Sequence, residues 1–302
     1  MLCRGRNTSV TVFAPAKLNL FLRILGKRGD GYHELETLMV SVGLCDTLLL
    51  TDDSSGALSL SCRDGSRANT SMRRRELPGE GADNLVWKAA RLLKETSGTS
   101  RGARLELVKR IPLAAGLAGG SSDAAATLSG LNRLWDLRFS VRDLAEMADR
   151  LGSDVPFFLS PTGAAICRGR GEIVEPLSLP GRLWFVVARP ETGLATAEVY
   201  RHCRPSPSAA TAEDVAASLS RNALCAAGRF FHNGLQEPAE ALNADVTRLK
   251  RAFARQPFAG HSMSGSGTSY FGLCRSRRQA VQLAARLRGT RLGDVFVVSS
   301  RP

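Results

Sequence analysis

The chain has 302 residues, of which 43% are hydrophobic and 23% are charged, as is ordinary for a globular protein with room for two domains. It contains no apolar run near the roughly 20 residues that cross a bilayer, and its N-terminus MLCRGRNTSV lacks an apolar signal core. Its seven cysteines show no CxxC or Cys/His spacing. The sequence therefore argues against membrane insertion, secretion, a disulfide framework and a zinc site. It predicts a cytoplasmic protein with reduced thiols.

The net charge of +13 and the isoelectric point near 10.1 are the unusual bulk values. They are compatible with a nucleic-acid partner, an acidic membrane surface or an anionic small substrate. A generally basic surface is the alternative, because arginines are spread from Arg4 to Arg301 and cluster only at Arg73–Arg75. Charge alone therefore does not select a function.

The N-terminal part of the chain predicts a series of strands. Short apolar segments between turn residues predict strands at 10–14, 18–25, 35–42, 46–50 and 57–61. The Gly-rich segment 26–33 predicts a loop or hairpin connection, and the polar segment 63–81 predicts a surface excursion.

Helices dominate the next part. The pattern predicts a helix over 83–94 capped by Asp83, a strand over 103–108, a helix ending near Trp135, and a helix over 141–152 capped by Ser140. The expected boundary near 160 gives an N-terminal domain over 1–160 and a C-terminal domain over 161–302.

The C-terminal part mixes both element types. Strands are predicted at 164–168, 183–188, 269–274 and 295–299, and helices at 212–224, 239–253 and 278–288, with a turn or short linker at 205–207. The order of elements indicates an α+β fold with antiparallel strands rather than a parallel, doubly wound sheet.

The segment IPLAAGLAGGSSDAAATLSGLNRLW, residues 111–135, places three glycines and two serines directly before a helix. A helix N-terminus attracts anions through its unsatisfied N–H groups, and glycine lets the backbone approach an anion closely. The hydroxyls of Ser121 and Ser122 add donors and are able to hold a magnesium ion bound to phosphate. A tight structural turn is the alternative, and neither a Walker loop nor a Rossmann fingerprint fits the spacing.

The run PLAAGLAGGSSDAAA resembles the phosphate loop of the GHMP kinase superfamily. APAKLNLFL, residues 14–22, resembles the first motif of that superfamily, and MSGSGTSYFG, residues 263–272, resembles the third. The resemblance implies a two-lobed α+β fold with an N-terminal ribosomal-protein-S5-like lobe and a C-terminal ferredoxin-like lobe. It also implies ATP and Mg²⁺ as cofactors.

Two longer stretches resemble one branch of the superfamily rather than the superfamily as a whole. PAKLNLFLRILGKRGDGYHELETLMVSVGLCD and LGSDVPFFL resemble the branch of the superfamily that phosphorylates the 2-hydroxyl of a cytidine-diphosphate-linked methylerythritol in isoprenoid synthesis. The likeness runs from about Ala14 to Gly272 and implies a small-molecule substrate, with a monomer or weak homodimer expected. The sequence departs from the family in two respects. Ala115 and Ala118 stand where many relatives carry glycine, and the excursion at 63–81 is longer than expected.

Lys17, Asn19 and Asp154 are the candidates for the reacting centre. Asp154 lies between a helix end and the apolar PFF run, where partial burial favours a proton acceptor, although a turn cap before Pro156 is the alternative. Lys17 stands in an apolar strand and, beside Asp154, would keep the carboxylate ionised and neutralise phosphoryl charge; an edge lysine facing water is the alternative. Asn19 faces the same side of the strand as Lys17 and would bind the reacting end of the substrate. The alternative is a polar residue at a strand edge whose hydrogen bonds are satisfied within the protein.

The base and the nucleotide have separate candidates. Tyr32 and His33 of the DGYH loop offer a flat ring and edge hydrogen bonds to a cytosine, and the resemblance adds Tyr200 as a second ring, for which a surface helix residue is the alternative. Gly265, Ser266 and Gly267 would close the substrate site as backbone donors or form a tight turn. The ATP contacts implied by the resemblance are Asn84, Lys109, Pro112, Leu113, Ala114, Ala115, Gly116, Leu117, Ala118, Gly119, Gly120, Ser121 and Ser122.

Two other functions remain open from the sequence. A kinase for another small alcohol, such as homoserine or mevalonate, would have no base to stack on the DGYH loop. A basic nucleic-acid-binding protein is favoured by the charge and the S5-like lobe, but such a protein needs neither a phosphate loop nor the pair of Lys17 and Asp154. Nucleic acid is therefore not the expected partner, and neither is a membrane.

Overall fold

The computed structural model describes residues 2–6, 8–65, 77–205 and 208–301. The chain divides into two compact units, each built from several segments. Unit 1 comprises Met1–Ala16, Leu44–Leu113 and Ala118–Pro161, and unit 2 comprises Lys17–Gly43, Ala114–Leu117 and Thr162–Pro302. Compactness does not by itself define a folding domain, so the continuous domains 1–160 and 161–302 stay a prediction.

The elements in the described ranges are twelve strands and nine α-helices. The strands are β1 (Leu2–Arg6), β2 (Ser9–Lys27), β3 (His33–Asp53), β4 (Leu58–Asp64), β5 (Gly102–Lys109), β6 (Ala164–Arg168), β7 (Ile173–Leu177), β8 (Trp184–Arg189), β9 (His232–Asn233), β10 (Gly260–Met263), β11 (Tyr270–Cys274) and β12 (Asp294–Ser299). The helices are α1 (Leu85–Ser97), α2 (Gly119–Leu134), α3 (Val141–Asp149), α4 (Thr196–His202), α5 (Ala212–Ser220), α6 (Leu224–Arg229), α7 (Gln236–Leu242), α8 (Ala244–Ala254) and α9 (Arg277–Arg288).

Unit 1 packs helices α1, α2 and α3 with strands that carry leucine at alternate positions. The second half of β3 pairs antiparallel with β5, and β5 pairs parallel with β4. Leu48 and Leu50 on β3 are fully buried. A Cβ atom at Gly130 of α2 would lie 2.3 Å from Leu50 Cδ1 and 2.8 Å from Val12 Cγ2. Helix α2 therefore packs on these strands at a distance that only glycine allows, and this packing fixes where α2 begins.

Unit 2 contains an antiparallel sheet in the order β10-β11-β8-β12. The second half of β2 pairs parallel with β9, and the first half of β3 pairs antiparallel with β6, which in turn pairs with β7. A core of buried apolar side chains, among them Val186, Phe253, Tyr270 and Leu283, joins the sheet to its helices. The predicted α+β class and the predominance of antiparallel pairs are confirmed.

Two of the predicted breaks between strands were wrong. Strand β2 runs from Ser9 to Lys27 through Pro15, and β3 runs from His33 to Asp53 through Gly43. Each replaces two predicted short strands. Proline and glycine interrupt a strand when their neighbours cannot compensate, but here both strands continue to bury apolar side chains on either side of these positions.

The helix boundaries also differ from the sequence prediction. The cap of α1 is Asn84 and not Asp83, because the Asn84 side chain accepts a hydrogen bond from the Val86 N–H at 2.9 Å. The predicted helix over 239–253 is two helices, since Asn243 is extended and its side chain accepts from the Asp245 N–H to start α8. Ser140 is the cap of α3, as predicted, in a capping box with Asp143. The 63–81 excursion and Arg73–Arg75 lie largely outside the described residues, as does most of the turn at 205–207.

Candidate active site

The phosphate-loop candidate ends in a helix that has no side-chain cap. Ala118 occupies the N-cap position of α2 with a left-handed φ of 52°, and its side chain has no oxygen to accept from the first turn. The first bond of the helix runs from the Ser122 N–H to the Ala118 carbonyl at 3.0 Å. The N–H groups of Gly119, Gly120 and Ser121 precede this bond, which is the arrangement that binds anions.

Gly119 is closely packed below the loop. A Cβ atom at this position would lie 3.0 Å from Ile111 Cγ2 and 3.3 Å from Lys109 Nζ. The same atom at Gly120 would make only an ordinary contact, 3.4 Å from Leu85 Cδ1. The first glycine of the helix is therefore the one that the fold cannot replace without displacing Lys109 or Ile111.

Lys109 is buried and bound by two carboxylates. Its Nζ donates to Asp46 Oδ2 and, at 2.7 Å, to Asp123 Oδ2. Burial alone lowers the pKa of Lys109, but Asp123 and Asp46 outweigh burial and raise it. Complete burial raises the pKa of Asp123, opposed by Lys109 and reinforced by Asp46. The structure places the Lys109 ammonium in a three-residue ionic cluster with Asp46 and Asp123, and its role as an ATP contact stays a prediction.

Sequence reasoning missed Asp46 and Asp123. Asp46 is 0% exposed between the buried portions of β3, and Asp123, the fifth residue of α2, is 2% exposed. The available signal was the same one that singled out Lys17, namely an ionisable residue in an apolar segment.

The side chain of Asn84 makes hydrogen bonds at the start of helix α1. Its side-chain oxygen caps α1, and its Nδ2 donates to the Gly79 carbonyl at 2.7 Å. Its role as a nucleotide contact stays a prediction.

Residues 114–117 of the loop belong to unit 2 and are hydrogen-bonded there to both other motifs. The Lys17 N–H donates to the Leu117 carbonyl at 3.1 Å, and the Ser269 N–H donates to the Ala115 carbonyl at 3.1 Å. The Ser264 hydroxyl donates to the Gly116 carbonyl at 3.0 Å. A Cβ atom at Gly116 would lie 2.0 Å from the Ser264 carbonyl oxygen, so only glycine fits.

The glycine turn at 264–269 has a backbone conformation that favours glycine. Gly265 and Gly267 have φ values of 55° and 84°. The Gly267 N–H donates to the Ser264 carbonyl at 3.0 Å, and the Ser266 and Thr196 hydroxyls share a hydrogen bond of 2.9 Å. The turn is therefore internally bonded, and its predicted role as a substrate-binding backbone stays a prediction.

Lys17 and Asn19 lie together inside unit 2, and each is 3% exposed. Lys17 Nζ donates to Asn19 Oδ1, and Asn19 Nδ2 donates to Thr37 Oγ1 at 2.9 Å. A Cβ atom at Gly265 would lie 3.0 Å from Lys17 Nζ, so the ammonium lies beside the glycine turn. The alternative of an edge lysine facing water is excluded by this burial.

Asp154 lies in unit 1 between α3 and a 3₁₀ helix at Pro156–Leu159. It is partly buried, and the following Phe157 and Phe158 are buried, as the apolar run predicted. Because Lys17 and Asp154 belong to different compact units, their pairing stays a prediction.

His33 and Tyr200 lie together in unit 2. Their ring centroids are 5.3 Å apart at an interplanar angle of 40°. Burial and, secondarily, the Lys27 charge lower the pKa of His33, which favours the neutral ring with one donor and one acceptor nitrogen. A neutral imidazole beside a phenol ring supplies the edge and face contacts that a nucleobase requires.

Tyr32 is exposed and lies beside an arginine, and its contact with a cytosine stays a prediction. Its side chain is 52% exposed, and the Arg170 guanidinium carbon lies 5.1 Å from its ring centroid. Arg170 follows β6 in the turn to β7 and was missed, because a surface arginine in an Arg-rich chain gives no distinguishing signal in the sequence. A guanidinium over an aromatic face also holds that face in position.

In the described ranges, no group of three or more His, Cys, Asp or Glu is placed to hold a metal. Magnesium in nucleotide sites needs only one or two protein oxygens, because phosphates and water supply the rest. Ser122 Oγ is buried without a hydrogen-bond partner among the described residues, so its oxygen fits such a role.

None of the described helices is long and apolar enough to span a membrane.

Comparison with known proteins places the chain in a family. Residues 84–161 match the model for the GHMP kinases N terminal domain, and residues 212–290 match that for GHMP kinases C terminal. A 4-diphosphocytidyl-2-C-methyl-D-erythritol kinase of Symbiobacterium thermophilum is 42% identical over 279 residues, covering 90% of this chain and 93% of that protein. One of Pelotomaculum thermopropionicum is 40% identical over 283 residues, covering 93% and 94%. The chain belongs to the 4-diphosphocytidyl-2-C-methyl-D-erythritol kinase family.

Solved structures agree with this kinase family. The crystal structure of a 4-(cytidine 5'-diphospho)-2C-methyl-D-erythritol kinase is 34% identical, with a TM-score of 0.80 over 97% of this chain and 99% of that one. A homoserine kinase from Cytophaga hutchinsonii, 21% identical with a TM-score of 0.75 over 100% and 97% of the two chains, shares the fold alone. The predicted GHMP kinase fold is thus confirmed, and membership of a kinase family implies ATP as the phosphoryl donor.

Ala118 provides a test of strain at the start of α2. A left-handed conformation costs a non-glycine residue roughly 1–2 kcal/mol of folded-state stability. Replacement by glycine removes this cost, but glycine also stabilises the unfolded chain by about 0.4–1 kcal/mol through its greater conformational freedom. Ala118→Gly should therefore raise the free energy of unfolding by about 0.5–1 kcal/mol in denaturant titration. Ala285→Gly, in the exposed interior of α9, should lower it by about 1 kcal/mol. Equal losses in both variants would show that Ala118 is not strained.

Proposed function

We propose that this kinase transfers the γ-phosphoryl group of ATP to the 2-hydroxyl of 4-diphosphocytidyl-2-C-methyl-D-erythritol, a step in non-mevalonate isoprenoid synthesis. The observation that carries the proposal is the match over nine tenths of the chain to relatives that bear this kinase name. The contact between the His33 and Tyr200 rings supports it, because a kinase for homoserine or mevalonate has no base to bind there.

The start of α2 holds the triphosphate. The N–H groups of Gly119, Gly120 and Ser121 form the positive end of the helix dipole, which stabilises negative charge. The hydroxyls of Ser121 and Ser122 would hold Mg²⁺ together with phosphate oxygens. When bound, this ion neutralises charge on the β- and γ-phosphates.

Asp154 accepts the proton of the 2-hydroxyl as the phosphoryl group is transferred. The phosphoryl group needs alignment and charge neutralisation more than covalent chemistry, so a correctly placed carboxylate is sufficient as base. Lys17 stabilises the charge of the transferring group. Its ammonium is buried, and charge interactions are stronger where water is excluded. Asn19 orients that ammonium through their hydrogen bond.

The cytosine binds at the aromatic residues of unit 2. Tyr200 and Tyr32 provide ring faces, and neutral His33 provides edge hydrogen bonds. Arg170 fixes the Tyr32 ring and adds a positive charge for the diphosphate.

The function is tested by measuring ADP release from ATP with four alcohols offered separately. The cytidine-diphosphate-linked methylerythritol should support turnover, whereas mevalonate, homoserine and galactose should not. Phosphorus NMR of the product should place the new phosphate on the 2-hydroxyl. Faster ADP release with any of the other three alcohols would make the protein a different GHMP kinase.

Asp154→Asn tests the proton acceptor. The substitution keeps the side-chain volume and removes the base, so kcat should fall by about 10²–10⁴-fold. The Kd for ATP should stay within a few-fold, because the phosphates bind elsewhere. Asp149→Asn, at the end of α3, is the matched control and should keep kcat. A wild-type kcat for Asp154→Asn would assign this residue to the turn alone.

The aromatic residues test the base site. Stacking is worth about 1–3 kcal/mol per base, so Tyr32→Ala or Tyr200→Ala should weaken CDP binding roughly ten- to a hundred-fold. Calorimetric Kd values for CDP and ATP should diverge, because only CDP uses these rings. His33→Ala should also lose preference for cytidine over uridine. Phe230→Ala removes another exposed ring of unit 2 and should change neither Kd. Parallel losses for CDP and ATP would indicate unfolding rather than lost stacking.

A further inference from the structure

The phosphate loop is tied at both ends to one buried lysine. At its start, Asp46 Oδ1 accepts the N–H groups of Arg110 and Ile111, the residues that follow strand β5. At its end, Asp123 is the fifth residue of helix α2. Lys109 joins the two carboxylates, because its Nζ donates to Asp46 Oδ2 and to Asp123 Oδ2. The distance between the strand end and the helix start is therefore set by this cluster.

The cluster is closed to solvent. Asp46, Asp123 and Lys109 are 0%, 2% and 5% exposed. Ionic groups are costly to bury, and apolar side chains of similar size often give an equal or greater stability. Apolar side chains, however, cannot accept the two N–H groups of Arg110 and Ile111. The cluster therefore satisfies these N–H groups and at the same time fixes the geometry of the loop.

The cluster also lies directly below the anion-binding turn. A Cβ atom at Gly119 would be 3.3 Å from Lys109 Nζ, so the ammonium packs against the first residue of α2. The Lys109 ammonium is held there by both carboxylates. The three residues can therefore act on the nucleotide through the loop backbone.

We infer that Asp46, Lys109 and Asp123 are positioning residues for the triphosphate of ATP. They hold the Gly119, Gly120 and Ser121 N–H groups in the orientation that the phosphates require. The inference rests on the proposed function in one respect only, that the start of α2 binds the phosphates of ATP.

Asp123→Asn is the first variant. It keeps the volume and an oxygen acceptor for Lys109 but removes the carboxyl group. Imprecise placement of catalytic groups costs up to about 10²-fold, so the KM for ATP should rise at least about ten-fold. The kcat at saturating ATP should stay within a few-fold, and the Kd for CDP should not change.

Asp46→Asn and Asp52→Asn form a matched pair on strand β3. Asp46 binds the loop, whereas Asp52 binds Arg101 at 2.9 Å. Asp46→Asn should weaken ATP and inorganic tripolyphosphate to a similar degree, since both bind through phosphates. Asp52→Asn should weaken neither. An unchanged ATP Kd in Asp46→Asn, or an equal loss in Asp52→Asn, overturns the inference.

A charge-free variant covers the case of misfolding. Lys109→Met combined with Asp46→Asn and Asp123→Asn removes every buried charge of the cluster while keeping its volume. It should unfold at a temperature close to that of the wild type yet bind ATP weakly. If it does not fold, or binds ATP as well as the wild type, the cluster is structural and the inference is wrong. Failure of the proposed function appears separately, as wild-type protein that binds ATP without phosphorylating the cytidine substrate.

Discussion

The absence of a side-chain cap at the start of helix α2 is the constraint on which the candidate site depends. A helix normally satisfies its first N–H groups with a serine, threonine, aspartate or asparagine, and in this protein α1, α3, α5, α8 and α9 do so. Helix α2 begins after Ala118 instead. An alanine there costs stability twice, once through the missing cap and once through the left-handed backbone. The same choice leaves N–H groups for an anionic ligand.

The surroundings of α2 compensate for that cost with tight packing. Gly130 lets the helix pack closely on Leu50 and Val12, and Gly119 lets its first turn pack on Ile111 and Lys109. These contacts fix the helix along its length and leave its N-terminus little freedom to move. A ligand that binds there needs to order less of the protein, and less of its binding energy is lost.

Much of this site was predictable because its signals are local. The glycines and serines at the start of α2, the lysine inside an apolar strand and the apolar run after Asp154 can each be recognised within a segment of a few residues. The resemblance of three motifs to one superfamily then gave the fold, which the comparisons confirmed.

The rest depends on contacts between distant parts of the chain. Asp46 meets Lys109 across 63 residues, and nothing in either segment specifies that partner. Arg170 reaches Tyr32 through the turn between β6 and β7, which sequence analysis did not predict at all. The predicted break of β2 at Pro15 was wrong for a related reason. A strand is stabilised by pairing with neighbouring strands, which local propensity does not include.

The hydrogen bonds of residues 114–117 bear on the order in which the protein is made. Their carbonyl groups accept from Lys17, Ser264 and Ser269, so the loop acquires its last two partners only near the end of synthesis. A nascent chain that has emerged as far as residue 161 contains the whole loop and helix α2, but it lacks the turn at 264–269. Contacts so distant in sequence form late and slowly. The phosphate loop is therefore completed only when translation has almost ended. A chain that terminates before residue 264 lacks the hydrogen bonds from Ser264 and Ser269 and keeps only the one from Lys17 among the three described above.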